Sequence, residues 1–237
     1  MTAPSTYLPL PLRFDVASMQ RDCDQFTAQE WIAHFNTGAY ENGWSCLPLR
    51  SPGGDGRHIM PIDGVDYADT PQLAHCPYLQ QVLASFACEK GAVRLMALDA
   101  GAVIREHRDP GTALADGVTR IHVPIHTSQQ VLFRIDGQSV HFSAGQAWYM
   151  DASCRHAVTN GGAAARVHLV IDCLTNAWLE ELFAGAGFVP RPLPKYGDPS
   201  INDANVAEII ARLRETGAPA MARHADHLAA IARGAAA

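Results

Sequence analysis

In the run IREHRDPG, His107 and Asp109 stand two residues apart, so on a β-strand both side chains leave the same face and could share one ion. Alone, such a pair is more often two solvated surface residues. A third ligand is what would make a site, and His156, in a short apolar run later in the chain, is the candidate. Two histidines and one carboxylate leave three positions open on a metal, the arrangement of non-haem iron oxygenases, whereas structural zinc prefers four closed ligands. Ten residues beyond His156, Arg166 lies in RVHLVID. A cation in an apolar strand is costly to bury without a carboxylate partner. Asp172 or a solvent-facing edge would resolve that cost. So would a dicarboxylate cosubstrate, which a planar guanidinium grips with two parallel hydrogen bonds. A further cluster is TRIHVPIHT (119–127), in which Arg120 and His122 share a face with His126; outward polar residues on an amphipathic strand would look the same.

These residues fall in a stretch of eight short apolar or alternating runs, at 91–99, 102–107, 119–126, 130–136, 139–143, 146–151, 155–159 and 165–172. Turn residues punctuate them, among them Asp136-Gly137, whose tolerance of positive φ suits a tight hairpin. Eight strands at this spacing predict a double-sheet jelly roll, a double-stranded β-helix with a cupin-like hollow that could hold a metal. The fold class expected is mainly β with flanking helices: N-terminal α/β elements before the core and helices after it. Helices are expected at 14–26, where Asp15 or Ser18 could cap, and at 77–86, with paired strands at 31–36 and 43–50 and a loop at SPGGDG (51–56). Further helices are expected at 176–188, 202–215 and 219–233, so a jelly-roll domain of 1–175 would be followed by a helical extension of 176–237, which could cover the barrel or form a homodimer contact.

Composition narrows the function classes. A net charge of -6 and the lack of a long Lys/Arg run argue against nucleic acid as a partner. No run reaches the ~18 apolar residues of a membrane-spanning helix. The segment MTAPSTYLPLPLRFD does not read as a secretion signal, and the six cysteines are scattered without close pairs, so free thiols in a reducing cytoplasm are expected.

Four blocks, EHRDPG, TRIHVPIHT, GQAWYMDASCRHAV and ARVHLVID, stand in an order and at a spacing that resemble the aspartyl/asparaginyl β-hydroxylase family of jelly-roll oxygenases, which includes bacterial free-proline hydroxylases. The resemblance covers residues 90–172, with a vaguer similarity from 14 to 50. It implies that His107, Asp109 and His156 hold iron(II), that Arg166 takes the distal carboxylate of 2-oxoglutarate, and that Arg120 and His122 are an Arg-x-His pair contributing to cosubstrate binding. Some animal members lack the carboxylate ligand; here Asp109 completes the triad. The implied reaction uses O2 and decarboxylates 2-oxoglutarate to succinate while hydroxylating an unactivated C–H bond of an amino acid, free or within a peptide. The compact length favours a small substrate, whose carboxylate could meet Arg94, Arg105 or Arg134, each more readily an ordinary surface Arg; Asn36 and Trp44 could line the entrance, and core packing explains Trp44 at least as well. Two other readings use the same fold: a cupin-like metalloprotein that does not employ 2-oxoglutarate, and a non-catalytic jelly roll that binds a small molecule.

Overall fold

In the computed structural model the described residues are 3–62, 64–192, 194–198 and 200–234. The N-terminal part runs β1 (Tyr7–Arg13), α1 (Val16–Asp24), β2 (Ile32–Ala33), β3 (Tyr40–Glu41), β4 (Trp44–Pro52), β5 (Tyr67–Asp69), α2 (Pro71–Ala74) and α3 (Pro77–Ala84). Eight strands follow: β6 (Lys90–Leu98), β7 (Val103–His107), β8 (Val118–His126), β9 (Val131–Ile135), β10 (Gln138–Val140), β11 (Gln146–Met150), β12 (His156–Asn160) and β13 (Arg166–Leu174). Helices α4 (Ala177–Gly185), α5 (Val206–Glu215) and α6 (Pro219–Ala232) end the chain.

The strands form two antiparallel sheets. The larger has the order β1-β11-β8-β13-β6-β4-β2, with β5 beside β4, and the smaller has the order β10-β9-β12-β7-β3. The eight expected runs are thus divided, β6, β8, β11 and β13 in one sheet and β7, β9, β10 and β12 in the other, which is the jelly roll the sequence predicts. Asp136 and Gly137 both have positive φ (47° and 82°) in the turn joining β9 to β10, as a two-residue hairpin of this twist requires.

Alternation along the larger sheet separates two environments. Leu95, Ile121, Val123, Leu169 and Ile171 join a core with Met19 of α1, Leu79 of α3 and Phe183 of α4. Their neighbours Arg94, Arg120, His122, Arg166, His168 and Asp172 therefore face the other way, towards the hollow between the sheets, where Phe133 and Ile135 of β9 and Val158 of β12 pack. One face of the sheet supplies stability and the opposite face is free to supply chemistry.

Two compact units divide the chain between Val189 and Pro190. The sequence-based boundary at 175/176 falls earlier, before α4. Because Leu179 and Phe183 of α4 are fully buried in the larger core, that helix belongs with the barrel. In the smaller unit α5 and α6 pack through Val206 and Leu228. Among the described residues no helix is long and apolar enough to cross a membrane.

Candidate active site

Strand β12 runs antiparallel to β7 with His156 directly opposite His107, and their rings lie 4.2 Å apart between centroids. Asp109 follows the end of β7, where its backbone N–H donates to the Ala152 carbonyl at 2.8 Å. Its Oδ1 is 3.8 Å from His107 Nε2. One ligating atom from each of His107, Asp109 and His156 falls within 4.8 Å of the others, close enough to share one ion. The histidines are also turned the right way. Nδ1 of His107 meets the Arg105 carbonyl at 2.8 Å and Nδ1 of His156 meets the Cys154 carbonyl at 3.0 Å. A carbonyl only accepts, so each Nδ1 carries the hydrogen and each Nε2 keeps its lone pair for a metal. Burial lowers the pKa of His156, which keeps it in the neutral, ligating form.

The other Asp109 oxygen is not idle. Arg120 Nη1 donates to Asp109 Oδ2 at 2.6 Å, while Arg120 Nε and Nη2 donate to the two oxygens of Asp172 at 2.7 and 3.2 Å. Asp172 also accepts from Arg94 Nη2 at 2.8 Å, and Arg94 Nη1 donates to the Ile59 carbonyl at 3.1 Å. Burial opposes ionisation of Asp172, but Arg120 and Arg94 outweigh it and hold the carboxyl below its usual range. Register explains the arrangement: Arg120 and Asp172 are paired across β8 and β13. Arg120 is thus engaged at all three nitrogens by carboxylates, one of them in the candidate metal cluster.

Asp172 being taken, Arg166 has no carboxylate partner among the described residues. It is 3% exposed, its Nε has no hydrogen-bond partner, and it forms no ion pair among the described residues. Its Cζ lies 5.6 Å from the centre of the Phe133 ring, and burial pulls its pKa down to about 10. A desolvated, unpaired guanidinium is expensive, and a carboxylate is what would relieve it. Around it lie further orphaned polar atoms: Nε2 of His122, Nε2 of His168 and Nε1 of Trp148 are all buried without a hydrogen-bond partner among the described residues. Phe142 stacks between Phe133 and Trp148, at 4.4 and 4.8 Å, and completes an aromatic wall. His168, whose spacing in the sequence predicts only an ordinary surface or hydrogen-bonded role, also lies in the hollow. Its one signal was its place two residues from Arg166, on the same face of β13.

At the rim, Trp44 is paired with Leu98, and Leu98 with Arg166, so the three share a row across the large sheet. His34 stacks on Trp44 at 3.5 Å and 12°, Phe35 stacks on His34 and is 54% exposed, and the Asn36 backbone N–H donates to His34 Nδ1 at 3.4 Å. Burial lowers the His34 pKa to about 4. Of the arginines considered for a substrate carboxylate, Arg94 is committed to Asp172 and Ile59, Arg105 is paired with Glu41 at 3.0 Å, and Arg134 is exposed. A second cluster, Cys23, Asp24 and His126, also has atoms within 4.8 Å. There His126 is already paired with Asp24 at 2.7 Å, and burial raises the Cys23 thiol to about 12, so the sulfur stays protonated.

The fold and this cluster define a cupin-like jelly-roll protein with a two-histidine, one-carboxylate cluster between its sheets. More narrowly, the chain belongs to the aspartyl/asparaginyl β-hydroxylase family, whose sequence pattern matches residues 13–176. It is 23% identical over 178 residues to the L-proline cis-4-hydroxylase of Rhizobium meliloti (strain 1021), covering 74% of this chain and 63% of that protein. To an L-proline cis-3-hydroxylase of a Streptomyces species it is 24% identical over 160 residues, covering 65% of this chain and 54% of the relative. The chain therefore matches less than two thirds of the length of these relatives. Among solved structures, a Pseudomonas putida prolyl-4-hydroxylase aligns with a TM-score of 0.45 at 12% identity, over 73% of this chain and 94% of that one. An oxidoreductase of the 2OG-Fe(II) oxygenase family from Burkholderia pseudomallei aligns with a TM-score of 0.47 at 12% identity, over 73% and 88%.

Proposed function

We propose that this protein is an iron(II)- and 2-oxoglutarate-dependent dioxygenase that hydroxylates an unactivated C–H bond of an amino acid, free or as an aminoacyl residue. The observation that carries the proposal is Arg166, a buried cation with no carboxylate partner among the described residues, facing the same hollow as His107, Asp109 and His156. In this reading the two Nε2 atoms and one Asp109 oxygen hold iron(II), Arg120 steadies the other oxygen, and Arg166 takes the distal carboxylate of 2-oxoglutarate. Iron chelated by 2-oxoglutarate would supply oxygen activation coupled to decarboxylation to succinate. The chain's own part is to fix the ligands, to line the hollow with Phe133, Phe142 and Trp148 so that water is excluded, and to place a substrate against Trp44 and His34 at the rim. The curated relatives are named for L-proline, so a small amino acid is the first substrate class to try. Cys23, Cys46, Cys76 and Cys173 are buried thiols and Cys88 is half-buried, which suits the cytoplasm.

Anaerobic addition of iron(II) and 2-oxoglutarate should give the weak visible charge-transfer band of a bound chelate. Arg166→Ala should weaken 2-oxoglutarate binding by on the order of a hundredfold, since it removes a charge-assisted, two-pronged contact. Succinate formation across a panel of free amino acids and short peptides then identifies the substrate. Folded protein that gives no band would sink the proposal.

A further inference from the structure

His122 and His168 lie side by side on β8 and β13, facing the hollow, 6% and 0% exposed. Their Nδ1 atoms face each other at 3.5 Å, and both Nε2 atoms are buried without a hydrogen-bond partner among the described residues. Burial, reinforced by the nearby positive charge of Arg166, lowers both pKa values well below the usual histidine value, so both rings are neutral. A neutral imidazole has one N–H and one lone pair. Two Nδ1–H groups would drive their hydrogens into each other, and two Nδ1 lone pairs would repel. The facing arrangement is met when one Nδ1 donates and the other accepts. The two tautomers are then opposite, and of the two Nε2 atoms one is a donor and the other an acceptor.

His168 is two residues from Arg166 on one face of β13, and both lie against the same ring: His168 stacks on Phe133 at 5.5 Å and 19°, with Arg166 Cζ 5.6 Å from its centre. An anion beside Arg166 would be repelled by a second lone pair and attracted by a second N–H. We propose that His168 presents Nε2–H beside Arg166 as a second donor to the distal carboxylate of the cosubstrate. His122 sets that tautomer by donating its Nδ1–H to His168 Nδ1, and is a positioning residue rather than the direct cosubstrate contact that the family resemblance implies for it. The inference rests on the dicarboxylate reading above and adds to it the residues that would distinguish a dicarboxylate from a 2-oxo monoacid.

The test is equilibrium binding to the full chain loaded anaerobically with iron(II), with 2-oxoglutarate and with 2-oxobutanoate, which lacks the distal carboxylate. His168→Phe should weaken 2-oxoglutarate by about tenfold to a hundredfold, the range for one lost hydrogen bond to a charged group, and leave 2-oxobutanoate within about twofold. His168→Gln, which keeps an N–H, should recover most of the loss. If His168→Phe binds 2-oxoglutarate as the wild type does, or loses both ligands equally, the inference is overturned. Arg166→Ala separates the two levels: an unchanged affinity there refutes the dicarboxylate reading itself, whereas a loss there without a loss in His168→Phe refutes the role of His168 alone. Nitrogen-15 spectra of the wild-type histidines, assigned through the backbone, need no variant to fold. They should show His168 protonated at Nε2 and His122 at Nδ1, and the reverse assignment overturns the proposal.

Discussion

Asp109 is pulled in two directions, with Oδ1 turned to His107 and Oδ2 held at 2.6 Å by Arg120, whose own orientation is fixed by Asp172. A carboxylate anchored on one oxygen loses little freedom when the other binds a metal, so Arg120 should act on metal affinity. Arg120→Ala is expected to weaken iron(II) binding by about tenfold to a hundredfold, the usual effect of removing a group that orients a ligand. Arg120→Lys should not restore it, because a point charge cannot bridge two carboxylates. An anaerobic competition titration measures this directly. Unchanged iron affinity with lost 2-oxoglutarate affinity would instead give Arg120 the cosubstrate role that the family resemblance implies. The residue types were legible in advance, since His107, Asp109, Arg120, His122, His156 and Arg166 all stood out in the sequence. Their partners were not: whether Asp172 neutralises Arg166 or Arg120 depends on strand register, and register is a property of two strands at once.

Among the elements, those with strong local periodicity could be read and those made by distant pairing could not. All eight barrel strands, and helices α1, α3, α4, α5 and α6, lie where alternation or helical spacing predicts, within a few residues. Strand β1 was missed because YLPLPLR carries two prolines. It survives because it lies at the edge of the larger sheet and pairs only with β11, where a missing N–H can face outward. The segment 51–56 read as a loop, yet β4 continues to Pro52 and pairs with β5, whose three residues are too few to leave a pattern. Helix α3 begins with Pro77 and has no cap of its own. Asp22, from the far end of α1, accepts from the backbone N–H groups of Tyr78 and Leu79 at 2.7 and 2.8 Å. Asp22→Ala should therefore cost about 1–2 kcal/mol in urea unfolding. Iron and 2-oxoglutarate affinities should not change, because α3 lies on the opposite face of the large sheet from the hollow.

For the whole molecule, the hollow sets the response to acid. His34, His122 and His168 are buried and have folded-state pKa values below the ordinary 6.5, for His34 about 4. The unfolded chain then binds more protons than the folded one below pH 6.5, so stability is full above that value and is lost as pH falls. The loss runs to about pH 4 for His34, and it has the same direction for His122 and His168. Each such proton contributes about 1.4 kcal/mol per pH unit, so three give a slope of about 4 kcal/mol per unit across the middle of the window. Urea midpoints at pH 7.5, 6 and 5 should fall accordingly, and a flat profile would show that these rings are protonated in the folded state.

Arg166 has a consequence that reaches beyond affinity. A cation withdrawn from water without a counter-charge is a standing debt against folding, so the residue most needed for a dicarboxylate is one the bare fold would be better without. Arg166→Met, close in length and apolar, should therefore melt at a higher temperature than the wild type when no 2-oxoglutarate is present. Adding 2-oxoglutarate should raise the melting point of the wild type, by mass action on the folded state, and leave that of the variant where it was. If the proposed dicarboxylate role holds, 2-oxoglutarate would be a conformational stabiliser as well as a reagent, and a cell short of it would hold a protein more exposed to proteolysis.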